Sequence, residues 1–172
     1  MTYEQKLELL EDITSKEFLD DALSNAKTWC WKNLSKHLEG FIGDFDFRIF
    51  NYKIDNSKAG LGYDMFFDEK ENGLIRVCTK QLEHYQEREN YIKENSTVRR
   101  GDIGDKSVII YGAVEVDSES MFVHEITEYV LLNPNLFDIK IYIDKYFGMA
   151  HKYAYEMENI NRQERGLQLW PR

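Results

Sequence analysis

His124-Glu125-Ile126-Thr127-Glu128 sets an imidazole and a carboxylate four residues apart. On a helix, that spacing brings His124 and Glu128 onto one face. The chain has only four histidines, and His151 opens a second helical stretch, His151-Lys152-Tyr153-Ala154-Tyr155-Glu156-Met157-Glu158. Two imidazoles and one carboxylate leave the fourth position of a tetrahedral zinc ion to water, which is the arrangement of catalytic zinc. Zinc so held brings the pKa of the bound water towards neutrality and polarises a carbonyl. Glu125 is rotated about a quarter turn from His124, so it can reach that water without ligating the metal. These residues predict a metal-dependent hydrolase centre. His124, Glu128 and His151 are its metal ligands, Glu125 its general acid/base and zinc its cofactor.

A plainer reading stands beside this one. An HExxE pentad arises by chance on amphipathic helices. Two packed helices could simply hydrogen-bond His124 and His151 to neighbouring carboxylates, and Ala154 would ease their packing in either case. Glu158, two turns after His151, reads as a solvated surface charge, with the orienting of a ligand as the alternative. Tyr155 or Tyr129 could stabilise an oxyanion, but among eleven tyrosines each reads first as a core residue.

Other constellations carry less. His84-Tyr85-Gln86-Glu87 is an HxxE on a charged stretch, read as a solvated face. His37 complements a helix C-terminus. The chain has no ExxH pair of the di-iron bundles, no P-loop and no GxGxxG. Trp29-Cys30-Trp31 reads as core, because no neighbouring cation favours a reactive thiolate.

The elements that must position the site follow from periodicity and capping signals. Leu7, Leu10 and Ile13 predict a short helix over residues 3–13. Thr14-Ser15-Lys16-Glu17 has capping-box form and opens a longer helix to Leu38, closed by Gly40. From Phe45 the period changes to two, which predicts a strand through Phe50. Tyr63–Phe67 and Leu74–Thr79 predict a hairpin joined by the turn from Asp68 to Gly73. Residues 81–95 read as a charged helix, 96–106 as a loop and Val108–Val116 as a strand. Asp117 or Ser118 then caps the helix carrying His124, and Asn133-Pro134 stops it. A last long helix is predicted from Phe137 to Arg162, with the loop from Asn133 to Leu136 making the two motif helices antiparallel.

Strand, HExx[ligand] helix and a further ligand helix together resemble the zincin metallopeptidases, and among them the gluzincins. The resemblance covers roughly the last third of the chain. It implies that His124 is the first ligand and Glu125 the general base. Glu128 occupies the place of the family's second His, and His151 that of the downstream ligand, a Glu in gluzincins. Histidine and glutamate are thus exchanged between two ligand positions. The resemblance also implies that Tyr111-Gly112-Ala113-Val114-Glu115 is an edge strand presenting a peptide or protein substrate.

Composition narrows the remaining classes. A chain of 172 residues with 42% hydrophobic and 31% charged residues suits one soluble domain. The net charge of −9 opposes nucleic-acid phosphates, and Arg99-Arg100 is too small a basic cluster to offset it. No apolar run has the length of a membrane span, and the N-terminus lacks the apolar core of a signal peptide. Cys30 and Cys78 form no CxxC and read as reduced and buried, so a cytoplasmic location is expected.

The expectation is an α+β fold in one domain over 1–172. It comprises an N-terminal helical part (1–40), a small, mostly antiparallel sheet of about four strands (41–116) and two C-terminal motif helices (117–172). The function expected is a zincin-like zinc-dependent hydrolase acting on peptide bonds, without nucleic-acid or membrane partners. The alternative is a non-enzymatic interaction protein, or a degenerate zincin with structural histidines.

Overall fold

The computed structural model describes residues 15–55, 64–68, 70–78, 108–111 and 114–170. Helix α1 (Lys16–His37) starts at Ser15, whose side chain accepts the Phe18 N–H at 3.3 Å. The cap is therefore Ser15 and not Thr14, one residue later than the capping-box pattern places it. Leu19, Ala22, Leu23, Ala26, Cys30 and Leu34 form its buried stripe. Their three- and four-residue spacing is that of a helix covering a core.

The strand expected from Phe45 to Phe50 is instead a 3-10 turn, Phe47–Ile49, followed by strand β1 (Asn51–Ile54). Asp46 caps the turn by accepting the Arg48 N–H at 3.0 Å. A three-residue repeat buries Phe47 and Phe50 on the same side, where both meet the Phe45 ring. Alternation alone would have sent Phe47 and Phe50 to opposite faces.

The hairpin is formed by β2 (Asp64–Phe67) and β3 (Leu74–Cys78), paired antiparallel with Phe67 opposite Ile75. Asp68 shapes its turn, accepting the Lys70 and Glu71 N–H groups at 2.7 and 3.1 Å. β1 joins the other side of β3 in parallel, with Asn51 opposite Leu74. The three-stranded sheet, ordered β1-β3-β2, is therefore mixed, where a mostly antiparallel sheet was expected. β3 lies in its centre, and Leu74, Ile75, Val77 and Cys78 are all buried. A strand covered on both faces carries such a nearly continuous apolar run.

Residues 108–116 also depart from expectation. They form two strands, β4 (Val108–Tyr111) and β5 (Val114–Val116), paired antiparallel in a separate two-stranded sheet. Tyr111 lies opposite Val114, so the pentad expected to be one substrate-presenting edge is divided between two antiparallel strands.

Helix α2 (Ser118–Leu131) carries the HExxE pentad and is capped by Asp117, which accepts the Ser120 N–H at 2.8 Å. It ends before Asn133-Pro134, as expected. The single long helix expected from Phe137 to Arg162 is broken. Ile139–Ile141 makes one α turn, Tyr142–Tyr146 a π segment, and helix α3 runs from Ala150 to Glu164. The π segment buries Tyr142 and Tyr146 against Phe137, and the Tyr142 hydroxyl donates to Leu131 O at 2.7 Å. Gly148 then takes a φ of +72°, a left-handed conformation that interrupts the helix before α3 begins.

One hydrophobic core joins α1, the three-stranded sheet, α2, the π segment and α3. α2 lies between α1 and α3 as the common packing partner. The fold is α+β. Among the described residues, no helix is long and apolar enough to cross a membrane. The helix expected at 3–13, the charged stretch 81–95 with His84, and the loop 96–106 with Arg99-Arg100 lie outside the described residues.

Candidate metal centre

α2 and α3 pack antiparallel, as a ladder of side-chain pairs records. Asp117 meets Arg165, Ser120 meets Arg162, His124 meets Glu158 and Glu128 meets His151. Because α3 starts only at Ala150, His151 stands in its first turn, opposite the C-terminal end of α2. The helix break at Gly148 therefore fixes the place of His151.

His124, Glu128 and His151 converge, each offering a ligand atom within 4.8 Å of the others. His124 Nε2 lies 3.3 Å from Glu128 Oε2, and His151 Nδ1 lies 3.5 Å from the same oxygen. Ligands about 2.0–2.1 Å from a tetrahedral zinc stand about 3.4 Å apart. The two separations fit that tetrahedral edge. His124 is buried at 7% exposure, whereas the His151 side chain is 64% exposed, so the cluster has a protein side and a solvent side.

The protein side fixes the His124 ring. Its Nδ1 lies 3.0 Å from Glu158 Oε2, and a carboxylate can only accept, so Nδ1 carries the proton. That leaves Nε2 facing the Glu128 carboxylate, and two lone pairs so placed require a cation between them. Without a metal that cation is a second proton. Burial pulls the His124 pKa down, but the Glu128 and Glu158 carboxylates outweigh it and lift it to about 10. The Glu128 carboxyl is held below its usual range, chiefly by hydrogen bonding to His124. A metal ion held by His124, Glu128 and His151 would have to displace that proton, because a ligating imidazole is neutral.

Glu125 is half-buried on the neighbouring face of α2, and its charge acts on His124 without joining the three converging groups. Two residues are placed differently from the reading of the sequence. Glu158 is 3% exposed, so it is a buried carboxylate rather than a surface charge. Tyr155 belongs to the site and not to the core, with its ring centroid 4.7 Å from His124 and 4.6 Å from His151. Tyr129 packs against Phe45, Phe50 and Phe67, and its hydroxyl meets Asn72.

Trp170 had no signal in the sequence. Its indole N–H donates to Glu158 Oε1, so Glu158 receives a donor on each oxygen. Glu158 did have a signal. It falls among Ala154, Met157 and Asn161 at helical spacing, the stripe that α3 buries.

Fold and site together define the class: an α+β protein with a His-Glu-His cluster, competent for metal, between two antiparallel helices. Comparison with known proteins finds no match to a family model, a curated protein or a solved structure.

Proposed function

We propose that this protein is a zinc-dependent hydrolase of zincin-like type, acting on peptide bonds. The observation that carries the proposal is the convergence of His124, Glu128 and His151 within 4.8 Å, with each imidazole about one tetrahedral edge from the same Glu128 oxygen. Zinc is the natural occupant of two imidazoles and a carboxylate, and would supply an acidified water and a polarised substrate carbonyl. Peptide bonds are the substrate class that the zincin resemblance implies.

This chain's own groups divide the remaining work. Glu158 holds the Nδ1–H of His124 and so keeps its Nε2 lone pair directed at the ligand position. Glu125 accepts a proton from the attacking water and returns it to the leaving amine. His151, on the solvent side, leaves the centre approachable by substrate. Tyr155 packs near-perpendicular to both imidazole rings.

The test is cleavage of a peptide library by zinc-loaded protein and by Glu125→Gln. The parent should turn over peptides, while the variant should retain zinc and lose at least about 100-fold in rate, the usual worth of a general base. Zinc loss in Glu125→Gln equal to that in His151→Ala would give Glu125 a ligand or folding role. Zinc-loaded parent without turnover would favour a non-enzymatic zinc protein.

A further inference from the structure

We propose that Trp170 is a positioning residue for the metal centre, acting on His124 through Glu158. The inference rests on the metal reading above and extends it to the segment after α3.

A relay of three contacts carries it. The Trp170 indole N–H donates to Glu158 Oε1. Glu158 Oε2 accepts the Nδ1–H of His124 at 3.0 Å. His124 Nε2 then faces Glu128 Oε2 at 3.3 Å, where the ligand position lies. A carboxylate held through one oxygen can still turn about its terminal torsion. Held through both, it fixes the plane and tautomer of the ring it serves.

The indole is itself clamped, which makes it a support and not a passing contact. Its backbone N–H donates to Asn159 Oδ1 at 2.8 Å, and Asn159 Nδ2 donates back to Trp170 O at 3.2 Å. The fully buried Arg162 lies over the ring, its guanidinium carbon 5.5 Å from the centroid. Arg162 in turn donates to Gln168 O at 2.6 Å and to the Ser120 hydroxyl at 3.0 Å. Leu167, buried, donates its N–H to Arg162 O at 2.8 Å. The segment is thus bonded to both motif helices, and its one indole N–H is spent on the carboxylate behind the metal ligand. Phenylalanine at 170 would keep the ring over Arg162 and leave Glu158 Oε1 buried without this donor.

The experiment is a zinc titration of the full chain and of Trp170→Phe, in competition with a chromophoric chelator. Thermal unfolding without metal is followed alongside, and visible absorption with cobalt in place of zinc. The expected result is an apparent affinity about 10-fold weaker in the variant, the usual worth of a ligand's outer partner, with a shifted cobalt spectrum and near-parental unfolding. In the parent, the Trp170 indole proton resonance should also move on zinc addition while those of Trp29 and Trp31 stay, a readout that survives a variant that fails to fold. Equal affinity and spectrum in a folded variant, or an unmoved Trp170 resonance in a zinc-binding parent, overturns the inference alone. A parent that takes up no zinc overturns the metal reading and this inference with it.

Discussion

Asp117 and Arg165 bind the start of the motif helix α2 to the end of α3, with Arg165 Nη2 3.0 Å from Asp117 Oδ1 and Nη1 on the second oxygen. Arg165 Nε also reaches Glu119 Oε2 at 3.1 Å, and Asp117 caps α2 through the Ser120 N–H. This clasp lies at the end of the helix pair away from His151. It sets the register in which His124 meets Glu158 and Glu128 meets His151.

The clasp predicts acid sensitivity. Burial raises the Asp117 pKa, but the Arg165 guanidinium and the Ser120 donors outweigh it and hold the carboxyl below its ordinary value of 3.8. A depressed folded pKa contributes stability that is fully present above the unfolded value and is lost as pH falls through the folded one. Urea unfolding of the parent should therefore weaken below about pH 4. Asp117→Ala should be destabilised at neutral pH by about 3 kcal/mol and show less of this acid dependence. Asp117→Asn should lose less, since asparagine also caps. An unchanged pH profile in Asp117→Ala would remove Asp117 from the account.

A second prediction concerns the turn that seats β1 beside β3. Gly73 has a φ of +79°, and a Cβ there would stand 2.6 Å from Ile49 O. Its own carbonyl accepts the Asn51 N–H at 3.1 Å, so the turn cannot retreat without loosening β1. Gly148, at +72°, has nothing within 4 Å of a built Cβ. Gly148→Ala should therefore cost about 1 kcal/mol, for conformation alone. Gly73→Ala should cost more than about 2 kcal/mol, because overpacking adds to the same strain. Thermal unfolding of the two variants checks the order; equal losses would contradict it.

What the sequence disclosed depended on how local the cause was. The four-residue spacing of His124 and Glu128 is a property of any helix, and the Asp117 cap and the Pro134 stop bound that helix from within its own neighbourhood. The β2–β3 hairpin was legible for the same reason, with Asp68 and Gly73 marking its turn. Gly148 stood within a pattern that read as one helix from Phe137 to Arg162. The π segment before it answers to the burial of Tyr142 and Tyr146 against Phe137, which is a tertiary demand. The parallel pairing of β1 with β3 likewise depends on contacts between distant segments. At the site, the convergence of His124, Glu128 and His151 was legible from one helical spacing and the short loop between the helices, whereas Glu158 was misjudged because its partners, His124 and Trp170, come from elsewhere in the chain.

The central claim is that His124, Glu128 and His151 make a single metal site. The measurement that tests it most directly is the zinc stoichiometry of untagged, metal-stripped protein after dialysis against zinc, compared with His124→Ala and His151→Ala. A single tightly held equivalent is expected in the parent and its loss in both variants, with His151→Ala still folded because that side chain is mostly exposed. Zinc at only trace levels in the parent, or parental stoichiometry in His151→Ala, would contradict it.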